Sequence, residues 1–287
     1  MRRLIRWNLS SRARELSGGA AIVVSIPKSG RTWVRTFLCA YFCKRYHHPF
    51  SLEPQRYGDA RIPRIVYSHD RFEQRTKADK WDALRGKYFI PVAERRRAKI
   101  VLLARDPRDT FVSHYVQLTR RTRETPEDLK QKEIGEVLRD GRHGIASMIE
   151  IMNAWLAEWS GKANFLLVRY EDLQSAPEQT FRELLGFIGE KEPEADAFSH
   201  ALEFSRFGNM KKMEAAGAFG SKILQPTDLG DPESFKVRRG KIGGYTDYLT
   251  GDDLACATEA MRKLDSRFRY GGSSPAAAGS LDEDKRA

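Results

Sequence analysis

The sequence predicts an α/β fold in a single domain, with a central, mostly parallel sheet flanked by helices on both faces. Three observations carry that prediction. Short apolar runs rich in branched residues, AIVVSI (21–26), KIVLLA (99–104) and NFLLVRY (164–170), have the length and unbroken hydrophobicity of strands buried on both faces. Each is followed by a short loop and then by apolar residues at helical spacing, which is the pattern of βαβ units. No internal repeat and no linker-like stretch divides residues 19–270.

In chain order, AIVVSI reads as the first strand, and Trp33, Val34, Phe37, Leu38 and Tyr41 then fall on one helical stripe. RIVYS (64–68) is a shorter strand candidate. KIVLLA leads into RDPRDTFVSHYVQL, where Asp106 can cap a helix that has Pro107 at its first position and Phe111, Val112, Tyr115 and Val116 as its apolar stripe. Residues 120–144 are highly charged and largely non-apolar, and read as a helical or mobile insertion beside the site. NFLLVRY is followed by a helical pattern over 177–189 through Phe181, Leu184, Leu185 and Ile188. The tail GGSSPAAAGSLDEDKRA (271–287) has the composition of a disordered segment, which leaves a basic segment over 1–18 and one domain over 19–270.

Of 287 residues, 40% are hydrophobic and 31% charged, ordinary values that exclude a wholly disordered chain. The net charge of +11, with a pI near 9.6, favours an anionic partner. Three cysteines make no disulfide framework, and Cys39 and Cys43 read as buried thiols. No apolar run is long enough to span a membrane or to act as a signal peptide. The expected location is therefore cytoplasmic. Arg2, Arg3, Arg6, Arg12 and Arg14, mixed with Leu4, Ile5, Trp7 and Leu9, suit either a frayed terminus or peripheral contact with the anionic inner face of a membrane.

The loop PKSGRT lies between the first strand and its helix, where an open parallel sheet binds ligands. Backbone N–H groups at a helix start, the approach permitted by Gly30, the charge of Lys28 and the hydroxyls of Ser29 and Thr32 make a P-loop-like anion site. A Mg²⁺-dependent P-loop kinase or NTPase is one reading, but the loop lacks the Gly-Lys-Ser/Thr ending, and KIVLLA ends in Arg105 and Asp106 rather than in a clear metal carboxylate. A non-enzymatic nucleic-acid binder is a second alternative allowed by the charge, though no reader motif supports it. ARDPRDTFVSHY offers a second anion site, with Arg105 at a strand end and Ser113 eight residues on. VRRGKIGGY (237–245) offers a third, two arginine forks before a glycine-rich turn.

Together these pieces resemble the cytosolic-type sulfotransferases that use 3′-phosphoadenosine 5′-phosphosulfate (PAPS). PKSGRTW resembles their 5′-phosphosulfate loop, Pro-Lys-Ser-Gly-Thr-Thr-Trp. ARDPRDTFVSHY resembles their 3′-phosphate motif, LVRYEDL (167–173) their strand carrying an adenine-contacting tyrosine, and RRGKIGGY their late Arg-Lys-Gly-x-x-Gly-Asp-Trp element. The four occur in family order between Pro27 and Tyr245. The resemblance implies PAPS as donor, 3′-phosphoadenosine 5′-phosphate (PAP) as product, no required metal, and transfer of a sulfuryl group to an acceptor hydroxyl or amine. It places Lys28, Ser29, Gly30, Arg31 and Thr32 around the 5′-phosphosulfate. Trp33 is placed on the adenine, Arg105, Ser113, Arg238, Arg239 and Gly240 on the 3′-phosphate, and Tyr170 at the adenine edge. FSRFGNMKK (204–212) resembles the family's Thr-Ser-Phe-x-x-Met-Lys segment and adds Ser205 and Phe207 to the adenine site.

By the same resemblance, His69 after the strand RIVYS is the base that takes the acceptor proton, and Lys28 stabilises the breaking bond. Three positions depart from the family pattern. Arg31 replaces a threonine and either charges the donor site or points to solvent. Ser68 stands beside His69 where many relatives carry a lysine, which would leave the sulfuryl group one cation short. Gly244 and Tyr245 replace Asp-Trp. The acceptor is left open among a glycan, a glycolipid and a small-molecule alcohol or phenol, with no specific nucleic acid as partner.

Overall fold

A computed structural model describes residues 16–121, 125–217, 235, 237 and 240–270. The basic segment before residue 16, the tail after 270 and the arginine pair 238–239 lie outside the described residues, as do the expectations attached to them. No helix among the described residues is long and apolar enough to cross a membrane.

The strands are β1 (Ala21–Val24), β2 (Ile65–Ser68), β3 (Lys99–Ala104) and β4 (Phe165–Arg169). They form one sheet in the order β2-β1-β3-β4, and every pairing is parallel, with Val24 opposite Ser68 on one side and Leu102 on the other. The chain steps from β1 to β2 on one flank, then crosses to β3 and β4 on the other. The winding therefore reverses between β1 and β3, and the loops leaving those strands part there to open a crevice.

Longer helices follow the strands: α1 (Arg31–Arg45) after β1, α2 (Asp70–Lys77) after β2, α3 (Pro107–Val116) and α4 (Ile145–Trp159) after β3. After β4 come α5 (Pro177–Ile188), α6 (Ala195–Phe204), α7 (Phe207–Ala215) and α8 (Gly251–Met261). The pleat divides the core in two. Ile22, Val24, Ile100, Leu102 and Ala104 pack with Phe111 of α3 and Met148, Met152 and Trp155 of α4. Their alternates Ala21, Val23, Val101 and Leu103 pack on the opposite face with Phe37 of α1, Phe181 of α5 and Phe198 of α6. Each large side chain buried this way contributes roughly 1.5–3 kcal/mol, so the sheet's position between the two helical layers is strongly fixed.

Two details place the site. α3 starts where Asp106 accepts the Arg108 backbone N–H at 2.8 Å with Pro107 beside it, as the sequence predicts. The charged insertion continues α3 as a π-turn, Gln117–Arg121, then forms helical turns at Glu127–Lys130 and Ile134–Leu138. The last turn carries a reciprocal cap between Glu133 and Glu136, and it is anchored by Val137 and Leu138, which are buried in the core. Cys39 and Cys43 are buried on α1, and burial pushes the Cys39 thiol up to about 12, which makes it an inert packing group.

Candidate functional site

All four strand ends deliver residues to one cleft of about 200 Å³. Pro27, Lys28 and Gly30 come from the loop after β1, His69 from the end of β2, Arg105 from the end of β3 and Tyr170 from the end of β4. Phe207 and Met210 of α7, Val237, and Gly240, Lys241, Gly244 and Tyr248 close the far wall.

The loop after β1 is shaped by its own side chains. Ser29 Oγ is buried and donates to the Ile26 carbonyl at 3.0 Å, which closes the turn. Lys28 and Gly30 both have positive φ, 76° and 94°. Gly30 precedes α1, and a Cβ there would lie 2.6 Å from Tyr170 Cδ2, so both the backbone and the close approach of Tyr170 require glycine. α1 has no side-chain cap and no acidic residue in its first turn, so its positive end is available to an anion at the cleft. Lys28, Arg31, Thr32 and Trp33 line that end of the cleft.

Arg105 ties the walls together. Its guanidinium donates to the Lys28 carbonyl at 3.2 Å, to Ser113 Oγ at 3.4 Å and to the Lys241 carbonyl at 3.1 Å, and it lies over the Tyr170 ring at 4.5 Å. Asp109, one helical turn on, is almost fully buried and approaches Arg105 at 3.7 Å. Its two oxygens accept the backbone N–H groups of Gly243 at 2.8 Å and Tyr245 at 2.9 Å. Burial pushes this carboxyl up, while Arg105 and the two N–H donors hold it down. Across the cleft, Gln174 donates to the Tyr170 hydroxyl at 2.7 Å and to the Gly240 carbonyl, and the Tyr170 hydroxyl reaches the same carbonyl at 3.5 Å. Burial also pushes the Tyr170 phenol up, which keeps it a neutral donor. Among the described residues, Trp33 Nε1 and Arg105 Nε are buried donors without a partner. Such atoms each carry a desolvation cost of about 1–3 kcal/mol until a ligand or water relieves it.

His69 sits at the start of α2 on a clamped turn. Its Nδ1 lies 2.7 Å from the Ser25 carbonyl. A carbonyl can only accept, so Nδ1 carries the proton and Nε2 is the basic nitrogen. The next residue, Asp70, adopts φ 39° and is pinned by three bonds: its N–H to Ser68 Oγ at 3.0 Å, and its oxygens to Ile90 N–H and Trp155 Nε1, both at 2.8 Å. Burial pushes the Asp70 carboxyl up. Ser68, fully buried, accepts the Asp70 N–H and so serves this turn.

The structure thus gathers Lys28, Gly30, Arg31, Thr32, Trp33, His69, Arg105, Ser113, Tyr170, Phe207 and Gly240 on one cleft. It turns the Ser29 hydroxyl into the loop and keeps Ser205 buried, its hydroxyl 3.5 Å from the Leu202 carbonyl, so neither side chain lines the cleft. Arg31 lines the cleft. Tyr245 is buried, with Arg108 over its ring at 4.3 Å, so it takes a packing place in the late loop. Sequence reasoning missed the anchoring roles of Asp109 and Gln174. Both stand four residues after a recognised site residue, Arg105 and Tyr170, and that spacing on a helix was the available signal.

The chain is similar to known proteins. The family model described as Sulfotransferase domain matches residues 19–269. Human sulfotransferase 2B1 is 25% identical over 282 residues, covering 89% of this chain and 68% of the relative. The 3-alpha-hydroxysteroid sulfotransferase of Cavia porcellus is 25% identical, covering 80% and 77%. The flavonol 3-sulfotransferase of Flaveria bidentis is 22% identical, covering 80% and 76%. The fold is also that of the crystal structure of mouse sulfotransferase SULT7A1 complexed with PAP, with a TM-score of 0.57 at 18% identity over 88% of this chain and 91% of that one.

Proposed function

The chain belongs to the sulfotransferase domain family, and we propose that it transfers a sulfuryl group from PAPS to a hydroxyl of its acceptor, releasing PAP. The observation that carries this reading is the convergence on one cleft of the four strand ends, with the phosphate loop, Arg105 and Ser113 on one wall and His69 on another. The residues fit the donor. The uncapped start of α1 with Lys28, Arg31 and Thr32 suits its 5′-phosphosulfate, Arg105 and Ser113 suit its 3′-phosphate, and Trp33, Tyr170 and Phe207 offer aromatic surface to its base. The partnerless buried donors on Trp33 and Arg105 suit a polar ligand there. The donor supplies the sulfuryl group and a phosphate leaving group. His69, held through Nδ1 by Ser25, accepts at Nε2 the proton that the acceptor hydroxyl gives up as its oxygen bonds to sulfur. Lys28 offers positive charge to the phosphate oxygen from which sulfur departs, and the loop amides hold the phosphate in place. The acceptor, as in the steroid and flavonol enzymes to which the chain is similar, is an organic alcohol or phenol.

The test is titration of the protein with PAP, followed by turnover of labelled PAPS with a panel of alcohols, phenols and glycans. PAP should bind without added metal. Lys28→Ala and His69→Asn should each lower turnover by about 10²–10³-fold. Failure to bind PAP would sink the donor assignment, and near-normal turnover in either variant would remove that residue's role.

A further inference from the structure

A second cleft opens beside the first and shares one wall residue with it, Tyr248. It lies between the end of α3 with its π-turn and the charged insertion, and Arg120, Lys130 and Lys132 all line it. Its one carboxylate, Glu133, is engaged by the backbone at the start of the Ile134–Leu138 turn. Lys130 meets Glu127 at 3.5 Å in an exposed pair. Arg120 and Lys132 form no salt bridge among the described residues. The cleft is braced, since the Tyr115 hydroxyl donates to the Lys132 carbonyl at 3.1 Å and so fixes the insertion against α3. With Lys130 paired to Glu127 and Glu133 as the one lining carboxylate, Arg120 and Lys132 leave this concavity beside a reactive site with an excess of positive charge, which suits an anion. The donor does not need this cleft, because its phosphates are matched by the loop after β1 and by Arg105 and Ser113 in the first cleft.

Resting on the reading of the first cleft as a donor and transfer site, we propose that the side cleft seats an anionic group of the acceptor. The acceptor is then a hydroxyl compound that already carries a carboxylate, phosphate or sulfate. Its hydroxyl enters the first cleft near His69 and its anionic arm passes Tyr248 to Arg120 and Lys132. This distinguishes the chain's substrate class from a neutral steroid or flavonol. The anion can belong to a small phenolic acid or to an acidic glycan, because the same guanidinium and ammonium chemistry serves both.

The experiment uses the full chain saturated with PAP, so that the first cleft's anion positions are filled. Two probes are titrated at low and moderate salt, 4-hydroxyphenylacetate and a heparin-type tetrasaccharide, each against a neutral counterpart of the same size. At least one anionic probe should bind about tenfold or more tighter than its counterpart, more weakly as salt rises. Which of the two does so identifies the source. The double variant Arg120→Ala with Lys132→Ala should lose that preference while PAP affinity and melting temperature stay unchanged. Arg120 is exposed and Lys132 half-buried, so these truncations spare the core. Equal binding of charged and neutral probes, or an unchanged preference in the double variant, overturns the proposal. Should PAP itself not bind, the donor reading fails separately, and the same titration without PAP still decides the side cleft by the response of the double variant.

Discussion

Replacing Asp109 with asparagine tests how the late glycine loop is held on the donor cleft. The carboxylate is almost wholly buried and accepts two backbone N–H groups, from Gly243 at 2.8 Å and Tyr245 at 2.9 Å. Asparagine keeps one acceptor oxygen and turns an NH₂ against the other N–H. One charge-assisted hydrogen bond, contributing about 1.5–3 kcal/mol, is lost, and a buried donor left unpaired costs about 1–3 kcal/mol more. Loss of the negative charge beside Arg105, 3.7 Å away, adds to this. The expected destabilisation is about 3–5 kcal/mol, and for a chain of this size each kcal/mol moves Tm by about 2–4 °C, so Tm should fall by about 6–20 °C. If the loop detaches locally instead, part of that cost leaves the melting curve and appears as weaker PAP binding, because Gly240, Lys241, Gly244 and Tyr248 of that loop line the cleft. Thermal melts and PAP titrations on the same preparations separate the two outcomes. A Tm fall under about 2 °C together with PAP affinity within about twofold of the parent would refute the latch.

Two further outcomes are expected. Gly30→Ala must place a side chain at φ 94° and 2.6 Å from Tyr170, whose ring also supports Arg105. Left-handed strain of about 1–2 kcal/mol and overpacking of about 1–3 kcal/mol should lower stability by about 2–5 kcal/mol, read by denaturant unfolding, and a loss under about 0.5 kcal/mol would contradict the close approach. His114 is buried against Phe72, with His143 at 3.3 Å and Lys28 adding repulsion, and burial pushes its pKa down from 6.5 to about 3. A histidine depressed in the folded state stays neutral while the unfolded chain gains a proton, so its contribution is intact above pH 6.5 and is lost as pH falls toward 3. Between pH 7 and pH 5 the parent should lose about 2 kcal/mol more stability than His114→Gln, and equal pH dependence of the two would show that His114 is not the group responsible.

Much of the donor cleft was legible in the sequence because its parts are local. A strand end, a loop and a helix start occupy consecutive residues, so PKSGRTW and RDPRDTFVSHY each suggest an anion site, and it is their combination that carries the resemblance. The same locality made Asp106 readable as a cap. Ser29 marks a limit of that locality: composition counts a hydroxyl, but only coordinates show that it bonds to the Ile26 carbonyl. Asp109 and Gln174 were harder to see, because their partners, Gly243, Tyr245 and Gly240, lie 66 to 136 residues away.

The sequence by itself determined the strands, their order along the chain, the family and the residue types at the phosphate loop, since these follow from short-range periodicity and contiguous motifs. Tertiary structure alone decided that the winding reverses between β1 and β3, and so brings four strand ends to one crevice. It also decided that a backbone carbonyl on Ser25 sets the His69 tautomer, and that the charged insertion folds back to put Arg120 and Lys132 beside that crevice. The physical reason is common to all three. Hydrogen-bond direction and charge proximity depend on distances in space, and the chain fixes those only when its two hydrophobic layers close on the sheet.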